Sequence, residues 1–261
     1  MEDVPALDGL YAPAMRPRNL PLILALGLSL AACATRNGDM EASTPGDPLE
    51  PLNREVLDVN IALDDAVFRP VAVGYRAVVP EFARTGIRNA LANIQEPRIL
   101  ANNILQGRFL DAGHTTLRFV FNSTIGLGGL FDVATDWGIA RRSGDFGQTL
   151  HRWGVVDGGP YLMLPIAGPS NPRDLVGRVS DGFLNPINWL MPIEADVSRF
   201  VVDSVDTREQ NIESIDALRS GSLDFYARLR SVWEQRRNAE LNAIGDTGHR
   251  LDVLEDPGAT Q

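Results

Sequence analysis

The 261-residue sequence contains no lysine, one cysteine and three histidines. Without lysine, the chain has no phosphate-binding loop of the Walker type, in which a lysine contacts the nucleotide phosphates. Because Cys33 is the only cysteine, no internal disulfide forms. His114, His151 and His249 have none of the paired spacings typical of zinc ligands. The sequence therefore predicts neither a metal site nor a cofactor.

Catalytic motifs are also missing. The sequence has no G-x-S-x-G nucleophile elbow, and Ser170 lies in a Gly168–Pro172 segment whose pattern indicates the entry to a helix. The glycine-rich segment Gly126–Gly129 lacks the third glycine of the dinucleotide-binding motif. A serine triad built from distant residues is recognised by geometry and remains an alternative. We predict that the protein is not an enzyme.

Acidic residues outnumber basic ones by 34 to 24, which gives a formal net charge of −10. A chain of that sign is a poor candidate for binding nucleic acid, or for adsorbing to anionic lipid through a basic patch. The apolar run Leu20–Ala32 has 13 residues, whereas crossing a bilayer takes about 20. Any membrane contact must therefore be apolar or covalent.

The run Leu20–Ala32 matches the apolar core of a secretory signal, and Leu30-Ala31-Ala32-Cys33 resembles a lipobox. We therefore interpret residues 1–32 as a signal peptide. Cys33 would then be the lipidated first residue of the mature chain, and residues 33–46 a small, polar tether. The alternative is a buried N-terminal helix with an incidental cysteine.

The residues ahead of this signal suggest a later start. Glu2, Asp3 and Asp8 carry the wrong charge for the region that precedes a signal core, where basic residues are usual. Arg16 and Arg18 have the right charge. We infer that Met15 is a better start than Met1.

From Asp47 onward, apolar residues recur at steps of three and four, which predicts amphipathic helices. Asp47 is predicted as the N-cap of the first helix and Asn171 as the cap of a later one. Pro80 opens a helical segment and Pro97 is predicted to restart it. A long helix is predicted from Glu194 to Leu218, with a break at the following glycine and serine.

No segment alternates convincingly with period two, so the sequence predicts one all-α domain over residues 47–244. The acidic segment 245–261 is predicted to be disordered. Three segments of the domain contain no charge and are rich in glycine, proline and aromatic residues: Phe119–Phe131, Gly158–Pro172 and Gly182–Ile193. They fit either the core and turns of a soluble domain, or short broken helices embedded partway into one leaflet around a polar cavity.

Motifs spread over Asp47–Phe183 resemble, in order, those of the VacJ family of lipoproteins, also called MlaA. The opening Asp47–Arg54 is similar to the family's D-P-[LF]-E-x-x-N-R, and Arg69-Pro70-Val71-Ala72 to its R-P-[VL]-A. Further matches are Glu96-Pro97, Leu105-Gln106-Gly107, Asn122-Ser123-Thr124, Gly126–Asp132, Asp145–Leu150, Trp153-Gly154, Gly159-Pro160-Tyr161, Leu164-Pro165, Gly168-Pro169-Ser170 and Arg173-Asp174. The doubled glycine at Gly158-Gly159 and the Asn171-Pro172 pair depart from the family pattern.

The resemblance implies a ring of amphipathic helices in the inner leaflet of the outer membrane, embedded from the periplasmic side and bound to a trimeric porin. Phospholipids misplaced in the outer leaflet would pass through a central amphipathic channel to a soluble periplasmic carrier, which maintains lipid asymmetry. Gly126, Gly128, Gly129, Phe131 and Tyr161 are the candidate channel or gate residues. The alternatives are a periplasmic scaffold or virulence-associated interaction lipoprotein without a channel, and a lipid hydrolase.

The lipidation prediction is tested by Cys33→Ser. We expect this variant to remain uncleaved or soluble and to mislocalise, because serine provides no thiol for the diacylglyceryl thioether. Immunoblots of separated membrane fractions measure its size and location. Recovery in the outer membrane equal to that of the unchanged protein, with equal activity, would contradict the prediction.

Overall fold

A computed structural model of the chain describes residues 47–155 and 158–255. The signal peptide, the tether with Cys33, and residues 256–261 of the predicted tail lie outside these residues. The helices are α1 Glu50–Leu63, α2 Arg69–Val78, α3 Glu81–Leu105, α4 Phe109–Thr124, α5 Val133–Asp136, α6 Phe146–Arg152, α7 Pro172–Leu184, α8 Ile187–Leu190, α9 Ile193–Gln210, α10 Ile212–Ser220 and α11 Phe225–Glu255. The predicted all-α fold is confirmed.

Two local features interrupt the α-helical pattern. A five-residue π-helical segment, Asp64–Phe68, joins α1 to α2 without a break in the chain direction. Between α6 and α7, the strands β1 (Leu162–Leu164) and β2 (Gly168–Ser170) form a short antiparallel hairpin, in which Met163 pairs with Pro169. No helix among the described residues is long and apolar enough to span a bilayer.

Predictions for two helix starts had different outcomes. Asn171 caps α7 as predicted, because its side chain accepts a hydrogen bond from the Asp174 amide. Asp47 was wrongly predicted as a cap. Its buried carboxylate instead accepts a hydrogen bond from the Tyr226 hydroxyl at 2.5 Å and another from Arg230 at 3.1 Å. Contacts with α11, far away in sequence, thus compete successfully with local capping.

Three predicted helix boundaries also differ from the structure. Pro97 does not restart the helix but lies inside the continuous α3, where packing against α4 compensates for the lost backbone hydrogen bond. The helix predicted from Glu194 to Leu218 is broken at Asn211, which separates α9 from α10. α11 continues to Glu255, beyond the predicted domain end at residue 244, since isolated glycines weaken a helix by only about 1 kcal/mol each.

The distribution of polar and apolar side chains is the reverse of that in a soluble domain. The largest fully buried side chains are all polar: Arg118, Gln106, Gln148, Glu96, Asn53, Asn102, Asn103, Asn185, Asn188, Thr115, Thr149 and Asp47. Many large apolar side chains are exposed, with Phe82 81%, Leu190 83% and Phe109 72% accessible. Soluble proteins seldom expose so many, and such surfaces mark contact with a membrane or a partner.

The α3–α4 pair illustrates the polar interior. Arg118 on α4 donates to Glu96 of α3 at 3.2 Å and to Asp132 at 2.9 Å, and it also donates to the Ile139 carbonyl at 2.6 Å. On the same seam, Asn103 donates to the Thr115 hydroxyl at 3.1 Å. The two helices therefore meet through their polar faces.

A second buried arginine joins three helices. Arg237 of α11 donates to Asp145, which caps α6, with two bonds of 2.8 Å. The same guanidinium donates to Asp174 of α7 at 2.8 and 2.9 Å. One side chain thus fixes the relative positions of α6, α7 and α11.

The apolar core among the described residues is small. It consists of Leu57, Tyr161, Met163, Tyr226, Leu229 and Trp233. These residues come from α1, the segment around β1, and α11. The core therefore attaches the hairpin to two helices, while the other helix contacts described above depend on polar groups.

Removing the Arg118 guanidinium tests the polar interior. We expect Arg118→Ala to lower the free energy of unfolding by about 3–5 kcal/mol, since it leaves the buried Glu96 with only the more distant Arg141, at 3.9 Å. The control is Val120→Ser on the same helix, where the valine is 46% exposed; we expect a change of about 0.5 kcal/mol or less. Chemical unfolding of the detergent-solubilised protein measures both. Equal losses in the two variants would contradict this account.

Candidate functional site

A cavity of about 1120 Å³ lies between α1, the β-hairpin, α9, α10 and the beginning of α11. Much of its wall is apolar, with contributions from Leu57, Ile61, Phe68, Phe200 and Leu218. Polar and charged side chains also reach it, from α1, α9, α10 and α11. The volume slightly exceeds the range of about 300–1,000 Å³ usual for small-ligand pockets. A large cavity with both apolar and charged walls suits a long amphipathic molecule.

α9 contributes one part of the polar wall. Asp203, Thr207 and Arg208 of α9 line the cavity, as does Asn211 directly after the helix. Arg208 donates to both carboxylate oxygens of Asp64, at 2.6 and 2.9 Å. This pair connects α9 to the π-helical segment at the opposite wall.

Asp203 differs from the other acidic residues of the cavity. Within the described part of the chain, its carboxylate has no hydrogen bond or ion pair, and the residue is half-buried. Burial raises its pKa to about 6, although the positive charge of Arg199 opposes the shift. The cavity wall therefore contains a carboxylate whose charge Arg199 offsets only in part.

Two asparagines of α1 hold the hairpin over the cavity. The Asn53 side chain donates to the Tyr161 carbonyl at 2.9 Å and accepts from the Met163 amide at 2.8 Å. Two turns further along α1, Asn60 donates to the Leu164 carbonyl and accepts from the Ile166 amide. The sequence analysis did not identify these two asparagines as anchors of the hairpin. Two polar residues seven positions apart on an otherwise apolar helix face were a signal for such a role.

The predicted glycine segment forms a tight loop at the end of α4. Gly128 has a φ of +75°, and a Cβ added there would have no neighbouring atom within 4 Å. Gly129 has a φ of +96° and packs directly against the Asn93 side chain. The Gly129 amide donates to the Asn122 carbonyl at 2.7 Å, and Asn89 of α3 donates to the Leu130 carbonyl at 3.3 Å. The loop is thus attached to both α3 and α4.

The structure does not bring the five candidate channel or gate residues together. Gly126, Gly128, Gly129 and Phe131 belong to this loop, where the Phe131 side chain is 60% exposed. Tyr161 is 3% exposed, and its ring packs edge-on against those of Tyr226 and Trp233. None of the five lines the 1120 Å³ cavity. The geometry therefore gives Tyr161 a packing role, and the charge-free pattern around it reflects the small apolar core.

Three of the four tryptophans lie at the surface. Trp137, Trp153 and Trp189 are 55%, 49% and 61% exposed. The indole N–H groups of Trp153 and Trp189 donate to the backbone carbonyls of Leu105 and Phe183, each at 3.0 Å. Tryptophan is enriched where a protein meets a membrane interface. Among the described residues, no cluster of histidine, cysteine or acidic side chains has a composition that holds a metal ion.

Comparison with known proteins gives consistent results. The sequence profile of the MlaA lipoprotein family matches residues 45–240. The intermembrane phospholipid transport system lipoprotein MlaA of Escherichia coli is 36% identical over 245 residues, which cover 90% of this chain and 92% of that protein. Its counterpart in Haemophilus influenzae is 31% identical over 87% of this chain and 92% of its own length.

A solved structure is also similar. It comes from work on the structural basis for maintenance of bacterial outer membrane lipid asymmetry, and it has a TM-score of 0.68 and 37% sequence identity. The similarity covers 75% of this chain and 98% of that one. Fold and sequence comparisons therefore agree with each other.

The raised pKa of Asp203 predicts an unusual pH dependence. The pKa of Asp203 rises from 3.8 to about 6, so folding favours its protonated form. Stability is therefore lost as pH rises between these values, by at most about 3 kcal/mol. We expect Asp203→Asn to be more stable than the unchanged protein at pH 7.5 and equally stable at pH 3.5.

The control for this prediction is Asp58→Asn, which makes the same charge change at an exposed position on α1. Unfolding midpoints measured from pH 3.5 to 8 in the same detergent compare the variants. A stabilisation that is independent of pH, or equal in both variants, would contradict the assignment to Asp203.

Proposed function

The chain belongs to the MlaA lipoprotein family, and on that basis we propose that it removes mislocalised phospholipids from the outer leaflet of the outer membrane. In this proposal, the 1120 Å³ cavity is part of an amphipathic channel through which the lipid passes. The combination of a cavity that has apolar and charged walls with an apolar exterior is the observation that carries the proposal. The phospholipid-transport name of the Escherichia coli relative supports it.

The cost of moving lipid through water explains why a channel is useful. Exposing an acyl chain of about 16 carbons to water costs on the order of 13 kcal/mol, at roughly 0.8 kcal/mol per CH₂ group. Asp203 and Arg208 of α9 give the head group polar contacts, while Leu57, Ile61 and Phe200 provide apolar contacts for the tails. Such a wall lowers the barrier without requiring a covalent step, so we propose that the protein is not an enzyme.

We propose that the domain is embedded in the inner leaflet of the outer membrane from the periplasmic side, as a ring of amphipathic helices. The exposed apolar side chains and the surface tryptophans support partial insertion. The lipid on Cys33 would anchor the chain to the same membrane. Ala34, at the position after the cysteine, favours export to the outer membrane by its resemblance to other bacterial lipoproteins.

The proposed partners follow from the family resemblance. A trimeric porin would hold the ring in the membrane, and a soluble periplasmic carrier would receive the lipid. A channel provides a path but no energy, so direction must come from exclusion of inner-leaflet lipid and from consumption of the lipid downstream. The missing Walker lysine is consistent with a chain that does not itself hydrolyse ATP.

Experiments distinguish the proposed lipid channel from two alternatives, a periplasmic scaffold and a lipid hydrolase. A periplasmic scaffold would be released from membranes when produced without its lipid, whereas an embedded domain would remain bound to lipid vesicles. A lipid hydrolase would turn over labelled phospholipid in purified form. The apolar exterior favours the embedded domain over the scaffold, because a soluble scaffold has no use for so many exposed large apolar residues.

Photocrosslinking in living cells tests the channel. A photoreactive residue at Ile215, in the cavity wall, is expected to capture phospholipid, which mass spectrometry of the purified adduct identifies. The control position is Asn238, an exposed polar residue of α11 that does not line the cavity. Capture at neither position, or equal capture at both, would contradict a lipid path through the cavity.

We propose that the loop of Gly126, Gly128, Gly129 and Phe131 acts as a gate. It reaches the cavity indirectly: Asn89 holds the loop to α3, and the neighbouring Arg88 binds Asp206 of α9 at 3.1 Å. A movement of the loop is thereby transmitted to a helix that contributes to the polar wall. Tyr161 is not part of this proposal, because it lies in the apolar core.

Gly128→Val tests the gate, since its φ of +75° is strongly unfavourable for a branched side chain. If the loop gates the channel, the variant should reach the membrane while phospholipid accumulates in the outer leaflet. Gly128→Asn is the control, because asparagine tolerates this conformation. If the glycine serves only packing, protein abundance should fall with normal transport per molecule. Unchanged protein level and unchanged outer-leaflet phospholipid would exclude both roles.

A further inference from the structure

The tip of the β-hairpin contains a strained residue. Within the described part of the chain, Leu127 and Ile166 are the two residues other than glycine that have a positive φ. The φ of Ile166 is +64°, a conformation that is most unfavourable for a residue branched at Cβ. Two positions later, the same hairpin uses Gly168 for a φ of +70°, which is the usual solution. An isoleucine at position 166 therefore costs stability that a glycine would not.

Burial does not explain the isoleucine. Ile166 is 50% exposed, so packing offsets only part of the cost of its backbone conformation. The residue lines the cavity, next to Ala167 and Gly168 of the same hairpin. Residues in unfavourable conformations persist where the surrounding structure fixes them, and they concentrate at sites that bind ligands. Its place in the cavity wall is therefore the feature that accounts for an isoleucine here.

Two neighbouring helices fix the backbone of the hairpin tip. Asn60 of α1 accepts a hydrogen bond from the Ile166 amide at 2.8 Å and donates to the Leu164 carbonyl at 2.9 Å. From α7, Arg178 donates to the Ala167 carbonyl at 3.1 Å and to a second carbonyl of the hairpin at 2.9 Å. The backbone is thus held on both sides of Ile166.

A fixed backbone and a stiff side chain make this part of the cavity wall rigid. Branching at Cβ leaves isoleucine few χ1 rotamers, and the hydrogen bonds from Asn60 and Arg178 restrain the backbone. A rigid apolar wall discriminates between ligands by their width, because a wider ligand must displace atoms that are held in place. A flexible side chain such as methionine would adapt to both.

We propose that Ile166 sets the width of the cavity for acyl chains, so that straight chains fit and methyl-branched chains are excluded, and that Asn60 positions it. The inference rests on the proposed function, and it adds a preference for one class of lipid tail. A straight chain is slender, whereas each methyl branch widens the chain by one carbon. In an apolar pocket, one additional carbon changes the discrimination between ligands by about 10–200-fold.

Competition between two lipids tests the preference on the mature protein, reconstituted in vesicles with the photoreactive residue at Ile215 of the cavity wall. The vesicles contain equal amounts of palmitoyl-oleoyl-phosphatidylcholine and diphytanoylphosphatidylcholine, which share a head group and differ in methyl branches. Mass spectrometry of the adduct gives the ratio of the two captured lipids. With Ile166 in place, we expect about a tenfold excess of the straight-chain lipid. With Ile166→Gly, the two should be captured within about twofold of each other.

Stability provides a second readout, since glycine tolerates the φ of position 166. Ile166→Gly should unfold at a temperature equal to or above that of the unchanged protein, so misfolding would not account for a lost preference. A lower unfolding temperature would contradict the strain. The control is Val176→Ala, which removes a branched side chain that is 54% exposed on α7 and outside the cavity. It should keep the tenfold preference. A preference that survives in Ile166→Gly, or is lost equally in Val176→Ala, would overturn the assignment to Ile166.

Asn60→Ala tests the positioning residue. The change removes both hydrogen bonds to the hairpin tip, and it should reduce the preference although Ile166 is present. Combining it with Ile166→Gly should cause no further loss, because two changes that act through one contact are not additive. Asn60→Ser, which is too short to span both backbone groups, replaces Asn60→Ala should that variant fail to fold. A full tenfold preference in the folded variant would exclude the positioning role.

The outcomes separate this inference from the proposed function. Equal capture of both lipids by the protein with Ile166 would overturn the tail preference while leaving a lipid channel intact. Capture of neither lipid from the cavity wall would contradict the proposed function itself.

Discussion

Buried arginines that each bind more than one segment hold the helices of this protein together. Arg118 joins α3 and α4 to the loop around Asp132, and Arg237 joins α6, α7 and α11. In a soluble protein such pairs stabilise little, because desolvation offsets the attraction. The driving force for helix association differs in a domain with an apolar exterior. Where hydrocarbon surrounds the helices, apolar packing provides little driving force for association, and polar contacts between helices become more important.

The chemistry of arginine suits this function. A guanidinium group has five N–H donors in a planar fork, whereas a lysine ammonium has three donors around one atom. Arg237 uses its fork to bind Asp145 and Asp174 together, and Arg208 binds Asp64 through two nitrogens. All basic residues other than histidine are arginines. The same residue type therefore holds the helices together and contributes to the wall of the cavity.

The sequence predicted the helical class and several boundaries, because local signals determine them. The cap at Asn171 depends only on residues within one turn, and it is confirmed. Asp47 has an equally good local pattern, but the tertiary contact with Tyr226 determines its position. Pro97 likewise remains within α3 because packing outweighs its local effect. Capping patterns thus fail where a distant partner competes for the same side chain.

Which face of each helix points inward was not predictable from periodicity. The stripe of Val197 and Val201 on α9 has the same spacing whether it faces a core or a membrane, and both side chains prove to be about half exposed. The polar residues of α9 that line the cavity, among them Asp203 and Arg208, were missed for that reason. Tyr161 lies in the small apolar core, and the sequence pattern did not indicate this, since an aromatic residue in a charge-free segment fits a lumen as well as such a core.

Fluorescence quenching by brominated phospholipids tests the central claim, a polar interior with a lipid-facing apolar exterior. Trp233→Phe retains the three exposed tryptophans, and a variant with Trp137, Trp153 and Trp189 all changed to phenylalanine retains only the buried Trp233. In reconstituted vesicles, brominated lipid should quench the first variant strongly and the second hardly at all. Little quenching of the first by brominated lipid, together with strong quenching by aqueous iodide, would contradict the account.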